Sequence, residues 1–166
     1  MVKKILYSIV AVGLLLAVDY YTKALAVLHL KNQNAVELIR GIFELRYLEN
    51  RGAAFGALQG RQMFLLLCTA VVLIYLIYAF IRIPAKKKYV PLWFTMVLLF
   101  SGAVGNMIDR ISRQYVVDFL YFKLINFPIF NVADCYVTVG VILLAILILF
   151  VYKEEDFDFL ARKKMR

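Results

Sequence analysis

The chain has 166 residues, 64% of them hydrophobic, with a formal net charge of +9 and a mean hydropathy of +0.79. Soluble domains carry roughly 45–50% apolar residues, so this composition excludes an ordinary water-solvated domain. The positive charge does not point to nucleic acid, because the basic residues gather at the ends of apolar segments and form no single stripe interleaved with aromatics.

An α-helical span needs about 20 mostly apolar residues, and four segments qualify, at 5–28, 63–83, 90–108 and 133–152. The first follows Lys3 and Lys4 and leads to Ala24-Leu25-Ala26, which also has the form of a cleavable secretory signal. Asp19 and Lys23 argue against cleavage, since an acid four residues ahead of a base is the favourable order for a pair within one helix. In the connection 30–62, GIFELRYLEN alternates with a period near two and predicts a short strand. RGAAFGALQG then sets Gly52, Gly56 and Gly60 among alanines, where backbone turns tightly or packs closely. A small β-rich cap is expected here.

The second and third spans are joined by a short loop with Arg82, Lys86, Lys87 and Lys88 and no acid. SGAVGN in the third span places Gly102 and Gly105 for close helix packing, and Asp109-Arg110 reads as an interfacial pair ending that span. The connection 109–132 contains VVDFLYF, suited to an extended or membrane-skimming path, with Asp118 flanked by apolar residues and no neighbouring base. Asn131 and Asp134 fit the N-cap and N3 positions of the fourth span. The tail after Tyr152 mixes charges and is expected to fray. Cys68 and Cys135 read as small packing residues, and the lone histidine, His29, lies in another segment than either, which disfavours a thiol enzyme.

The density of bases before the first span, between the second and third, and after the fourth predicts cytoplasmic N- and C-termini. The fold class expected is therefore a membrane all-α protein of four transmembrane helices with a small extracytoplasmic β-rich cradle, a single domain over 1–166. Threaded in this sense, Asp19, Lys23, Asn50, Asn106, Asp109, Arg110, Asp118, Asn131 and Asp134 all come to the outer level. Acids spread through the bilayer would instead suggest an ion pathway; here they stop at one surface. A membrane adaptor without chemistry would leave Asp118 unexplained. Two carboxylates at an apolar boundary are the components of an aspartic dyad, in which one proton is shared because close like charges cannot both ionise. The helix dipole favours Asp134 as the ionised partner. One histidine and no carboxylate–histidine cluster disfavour zinc or di-iron, so neither metal nor cofactor is expected.

Five stretches, in order, carry a resemblance: DYYTK at 19–23, NRGAAF at 50–55, GAVGNMIDR at 102–110, VVDF at 116–119 and FNVAD at 130–134. Together they resemble the lipoprotein signal peptidases, the type II bacterial signal peptidases. The resemblance implies an aspartic endopeptidase of the cytoplasmic membrane that cuts diacylglyceryl-modified prolipoproteins just before the lipid-bearing cysteine. It implies Asp118 and Asp134 as the catalytic pair, supported by Asp19, Asn50, Asn106, Arg110 and Asn131. Lys23, Gly52, Gly102, Gly105 and Asp109 take structural places. The implied partners are prolipoproteins, membrane lipids and the inhibitor globomycin, with no nucleic acid, and a monomer is expected.

Overall fold

The computed structural model describes residues 2–52 and 60–160. Four helices are long and apolar enough to cross a membrane: α1 (Val2–Leu30), α2 (Gln62–Arg82), α3 (Val90–Arg113, preceded by a single tight turn Lys87–Tyr89) and α4 (Val132–Ile146). α4 runs on through a wider π-type turn, Leu147–Val151. Half of the apolar window of α3 is buried within the protein, against 11% in each of the others, so α3 is the helix around which the bundle packs. The rest present leucine, isoleucine and phenylalanine outward, Phe150 being 81% exposed. Such a surface is stable only in lipid.

Small residues let α3 and α4 approach. A Cβ on Gly102 would sit 2.5 Å from the Ala133 carbonyl oxygen and 2.6 Å from Val137 Cγ2. On Gly105 it would sit 2.7 Å from Asp19 Oδ2 and 3.3 Å from Ala133 Cβ, and on Gly140 2.8 Å from Leu99 Cδ2. Both glycines expected to mark close packing do so, and Ala133, fully buried, is the surface they meet. The hydroxyls of Thr95 and Ser101 on the same helix are satisfied by the carbonyls of Pro91 and Val97, one turn back.

A three-stranded antiparallel sheet covers one end of the bundle, in the order β1 (Val36–Ile39), β2 (Phe43–Asn50), β3 (Val116–Phe122). The alternation in GIFELRYLEN predicts β2; β1, before it, has no comparable pattern. Gly41, at φ +71°, lies between them. VVDFLYF is a strand of this sheet, with Asn50 opposite Val116 and Leu48 opposite Asp118. A register shift in β2 between Leu45 and Leu48 interrupts the pairing just ahead of that point. The chain then doubles back: Phe130 exchanges backbone hydrogen bonds with Leu120, its oxygen also accepting from Phe119. That return places the start of α4 beside the middle of β3. Ala26 and Leu30 of α1 pack on Val117 and Phe119 and anchor the sheet to the bundle.

Three expectations are corrected. α3 does not stop near Ile108 but continues to Arg113, ending at Gln114 in the left-handed conformation (φ 64°), whose N–H closes on the Arg110 carbonyl. Asp109 and Arg110 therefore belong to the helix and not to the following connection. The tail does not fray at Tyr152: Glu154–Leu160 forms a 3-10 helix that lays Phe157 and Phe159 against Tyr89 and Tyr152, and Lys88 holds Asp156 at 2.6 Å. Leu76, Ala79, Leu92, Met96 and Leu147 complete this second core, at the end of the bundle away from the sheet. The cysteines are both free; Cys68 is exposed on α2 and so is not a packing residue, while Cys135 is half-buried. Residues 53–59 lie outside the described residues, and with them Gly56 and the end of the NRGAAF stretch.

Candidate active site

The polar residues singled out in the sequence converge where β3, α1, α3 and α4 meet. Asn131 is the N-cap of α4, its Oδ1 accepting from the Asp134 backbone N–H at 3.0 Å, while Asp134 Oδ2 accepts from the Asn131 N–H at 3.1 Å. This reciprocal capping box satisfies two donors of the helix start. It also leaves Asp134 Oδ1 free to face the site, where it accepts from Asn106 Nδ2 at 2.7 Å.

Each amide in the site has its orientation dictated by a second partner. Asn131 Oδ1 is taken by the helix start, so its Nδ2 points away from it, to Asp118 Oδ1 at 2.6 Å and Asn106 Oδ1 at 3.1 Å. Asn50 Oδ1 accepts from the Gly52 N–H at 3.0 Å, which turns its Nδ2 to Asp118 Oδ2 at 2.8 Å. Asn106 Oδ1 accepts from Lys23 Nζ at 2.9 Å as well as from Asn131, which leaves its Nδ2 for Asp134. An amide has one accepting and one donating end, so none of the three can flip without losing partners at both. Asp118 and Asp134 are thereby joined through Asn131 and Asn106 in one continuous network.

Lys23 is the hub beneath it. Only 2% exposed, it directs its ammonium at Asp19 Oδ2 (2.9 Å), Asp109 Oδ2 (3.1 Å) and Asn106 Oδ1, three acceptors for three N–H groups. Asp19 Oδ1 accepts from the Ala133 N–H at 2.9 Å, which ties α1 to the first turn of α4. Asp109 also accepts from the Val117 N–H at 3.3 Å and from Arg113 at 3.4 Å. Its partners are thus Lys23 and Arg113, and not Arg110 as an interfacial pair would require. Arg110 instead donates to the Gly52 carbonyl at 3.3 Å and to that of Asn106 at 3.4 Å. Its buried Nε has no partner among the described residues.

Asp118 is 1% exposed. Burial is the main cause that pushes its carboxyl up to about 7, and the charge of Asp134 adds to it; the amides of Asn50 and Asn131 and the Lys23 ammonium act in the opposite sense. A proton retained on Asp118 near neutrality, beside a second carboxylate, is the asymmetry that acid–base chemistry at a carbonyl requires. Among the described residues no group of three or more His, Cys, Asp or Glu side chains is placed to hold a metal ion. All twelve positions named from the sequence lie in or against this site. What sequence reasoning missed is Ala133, whose N–H and methyl group join Asp19 and Gly105 to α4; its only signal is a small residue one position before Asp134.

Residues 11–150 match the family described as signal peptidase (SPase) II. The chain belongs to the signal peptidase II family. It is 43% identical over 144 residues to the lipoprotein signal peptidase of Caldanaerobacter subterraneus subsp. tengcongensis, a match covering 86% of this chain and 96% of that protein. With the lipoprotein signal peptidase of Brevibacillus brevis it shares 46% identity over 135 residues, 81% of this chain and 88% of the other. A solved bacterial membrane enzyme superposes with a TM-score of 0.78 at 35% identity, covering 89% of this chain and 92% of its own. A second such structure gives 0.76, also at 35% identity, over 88% and 94%. Membership of the signal peptidase II family, with four helices able to cross a membrane, makes the chain a multi-pass membrane peptidase.

Proposed function

We propose that this chain is an aspartic endopeptidase that releases the signal peptide from diacylglyceryl-modified prolipoproteins, cutting on the N-terminal side of the lipid-bearing cysteine. The reading rests on one observation above all: Asp118 and Asp134 arrive from a strand and a helix start into a single amide-linked network, with Asp118 held protonated up to about pH 7. The names of the relatives supply the substrate class.

In this mechanism Asp134 takes a proton from a water molecule as the water oxygen attacks the scissile carbonyl carbon. Asp118 gives its proton to the carbonyl oxygen, so the intermediate carries no full negative charge. Its collapse breaks the C–N bond, Asp134 protonates the departing amine, and Asp118 recovers its proton from the hydroxyl. No group outside the dyad is required for proton balance. Asn50, Asn106 and Asn131 hold the carboxyls, while Asp19, Lys23 and Asp109 lock α1, α3 and β3 beneath them. Arg110, with a buried Nε turned to no described partner, is assigned to the substrate backbone. The distribution of lysines orients the termini to the cytoplasm and the site to the outer face of the bacterial cytoplasmic membrane. There the scissile bond of a membrane-held substrate is within reach, and globomycin-type inhibitors are assigned to the same place.

The deciding experiment incubates purified protein with a diacylglyceryl-modified prolipoprotein. Asp118→Asn and Asp134→Asn each lower cleavage by roughly a thousandfold or more, since each removes one partner of a general acid–base pair whose members contribute about 10²–10⁴. A chelator leaves the wild-type rate unchanged. Cleavage that survives either substitution rejects the dyad.

A further inference from the structure

Exposed lysines gather at the end of the bundle away from the sheet, and three of them meet no acid among the described residues. At the sheet end Lys31 and Arg51 meet Glu49, Lys123 meets Glu37 and Glu44, and Arg113 meets Asp109. At the opposite end two lysines are engaged: Lys88 with Asp156, and Lys4 with the carbonyls of Phe80 and Ile83 at 2.8 and 3.0 Å, the last turn of α2. Lys3, Lys86 and Lys87 are exposed and have no acidic partner among the described residues. All three border one cleft of about 310 Å³ between the first turn of α1 and the α2–α3 connection.

The walls of that cleft are not polar. Tyr7, Pro84, Val90 and Trp93 line it, and the Trp93 indole is fixed by donating to Ser8 Oγ at 2.6 Å. Val90 is half exposed at its edge, and Phe94, one helical turn on, continues an apolar surface along α3. Unneutralised ammonium groups over an aromatic and aliphatic wall, at the end of a membrane-spanning bundle, match a ligand that is anionic at its head and apolar immediately below. Basic pockets between membrane helices take phospholipid headgroups for this reason, and tryptophan and tyrosine favour the same depth. A free phosphate would satisfy the lysines but gain nothing from Tyr7, Val90 and Trp93.

We propose that this cleft is a binding site for an anionic glycerophospholipid, its phosphate held by Lys3, Lys86 and Lys87 and its glycerol and first acyl carbons lying along Tyr7 and Trp93. The bound lipid bridges the first turn of α1 to the α2–α3 connection, at the opposite end of the bundle from the aspartates. The proposal stands independently of the peptidase mechanism.

Native mass spectrometry of the full-length protein, titrated with phosphatidylglycerol and separately with phosphatidylcholine, tests it. Wild type retains phosphatidylglycerol in preference to phosphatidylcholine. Each lysine near the surface strengthens attraction to an anionic headgroup about fivefold, so the combined Lys3→Gln, Lys86→Gln, Lys87→Gln variant loses about a hundredfold in phosphatidylglycerol affinity. Lys87→Gln alone loses a graded part of that, and Arg40→Gln at the sheet end loses none. A melting temperature equal to wild type in lipid-free detergent shows that the triple variant is folded. Equal retention of the two lipids overturns the proposal, as does undiminished phosphatidylglycerol binding by the folded triple variant. Displacement of the lipid by an equal concentration of inorganic phosphate assigns the cleft to a free anion and overturns it likewise.

Discussion

The two ends of the bundle are held together by different physics. At the sheet end the contacts are directional: a buried lysine between two aspartates, three asparagines with locked amides, and a helix cap that doubles as part of the site. At the far end the core is aromatic and aliphatic, with Tyr89 stacked on Tyr152 and meeting Phe159 edge-on and Leu76, Leu92 and Met96 packed beneath. Its polar contacts, such as Lys88 with Asp156, lie at the periphery. In lipid, apolar contacts alone discriminate poorly between a neighbouring helix and a hydrocarbon chain, whereas polar partners and close small-residue packing do discriminate. The sheet end therefore carries the precision, and the far end tolerates change.

The sharpest way to break this contrast is Lys23→Met, which leaves Asp19 and Asp109 buried without their cation. Breaking a buried ion pair on one side costs about 3–5 kcal/mol, so thermal unfolding in detergent shifts strongly downward and activity is lost. Adding Asp19→Asn and Asp109→Asn restores much of the melting temperature but not the turnover. An equally large shift from Leu76→Val at the far end would erase the distinction. Next comes Gly102→Ala, whose Cβ meets backbone of α4 at 2.5 Å. Overpacking of this kind costs about 1–3 kcal/mol, and the displacement of α4 lowers kcat beyond what the loss of folded protein explains.

The pH profile is a third probe. Asp118 has its carboxyl raised from 3.8 to about 7, so below about 7 the folded chain keeps a proton that the unfolded chain releases near 4. Stability therefore declines as pH rises between those two values and levels off above the upper one. On the proposed mechanism, turnover falls about tenfold per pH unit above about 7 as Asp118 loses its proton. The smallest effect belongs to the surface: Lys31→Ala removes an exposed, solvent-screened pair with Glu49 and leaves the melting temperature close to that of wild type.

Much of this was legible in the residues themselves. Four apolar runs of spanning length specify the helices, and the alternation of Phe43, Leu45 and Tyr47 specifies β2. The pairing of Asn131 with Asp134 at N-cap spacing specifies how α4 begins. What escaped has physical causes. The end of α3 is marked by Gln114 in a left-handed conformation, a position glycine or asparagine usually signals, so the helix looked finished at its first charges. The tail reads as a charged run, yet Phe159 and Phe157 within it meet Tyr89 and Tyr152, the first a contact between residues far apart in sequence that no local pattern reports. The network around Asp118 could be placed at one level by topology. Which end of each amide faces the carboxyls depended on backbone donors such as Gly52 N–H, which no side-chain pattern reports.

The double duty of Asp134 has a kinetic corollary. One oxygen begins a helix and the other serves the network, so on the proposed mechanism a momentary fraying of a single turn of α4 disarms the dyad while every membrane span stays in place. Heat inactivation should then precede the loss of global structure, with hydrogen exchange at the backbone amides of Ala133 and Asp134 rising in step with it.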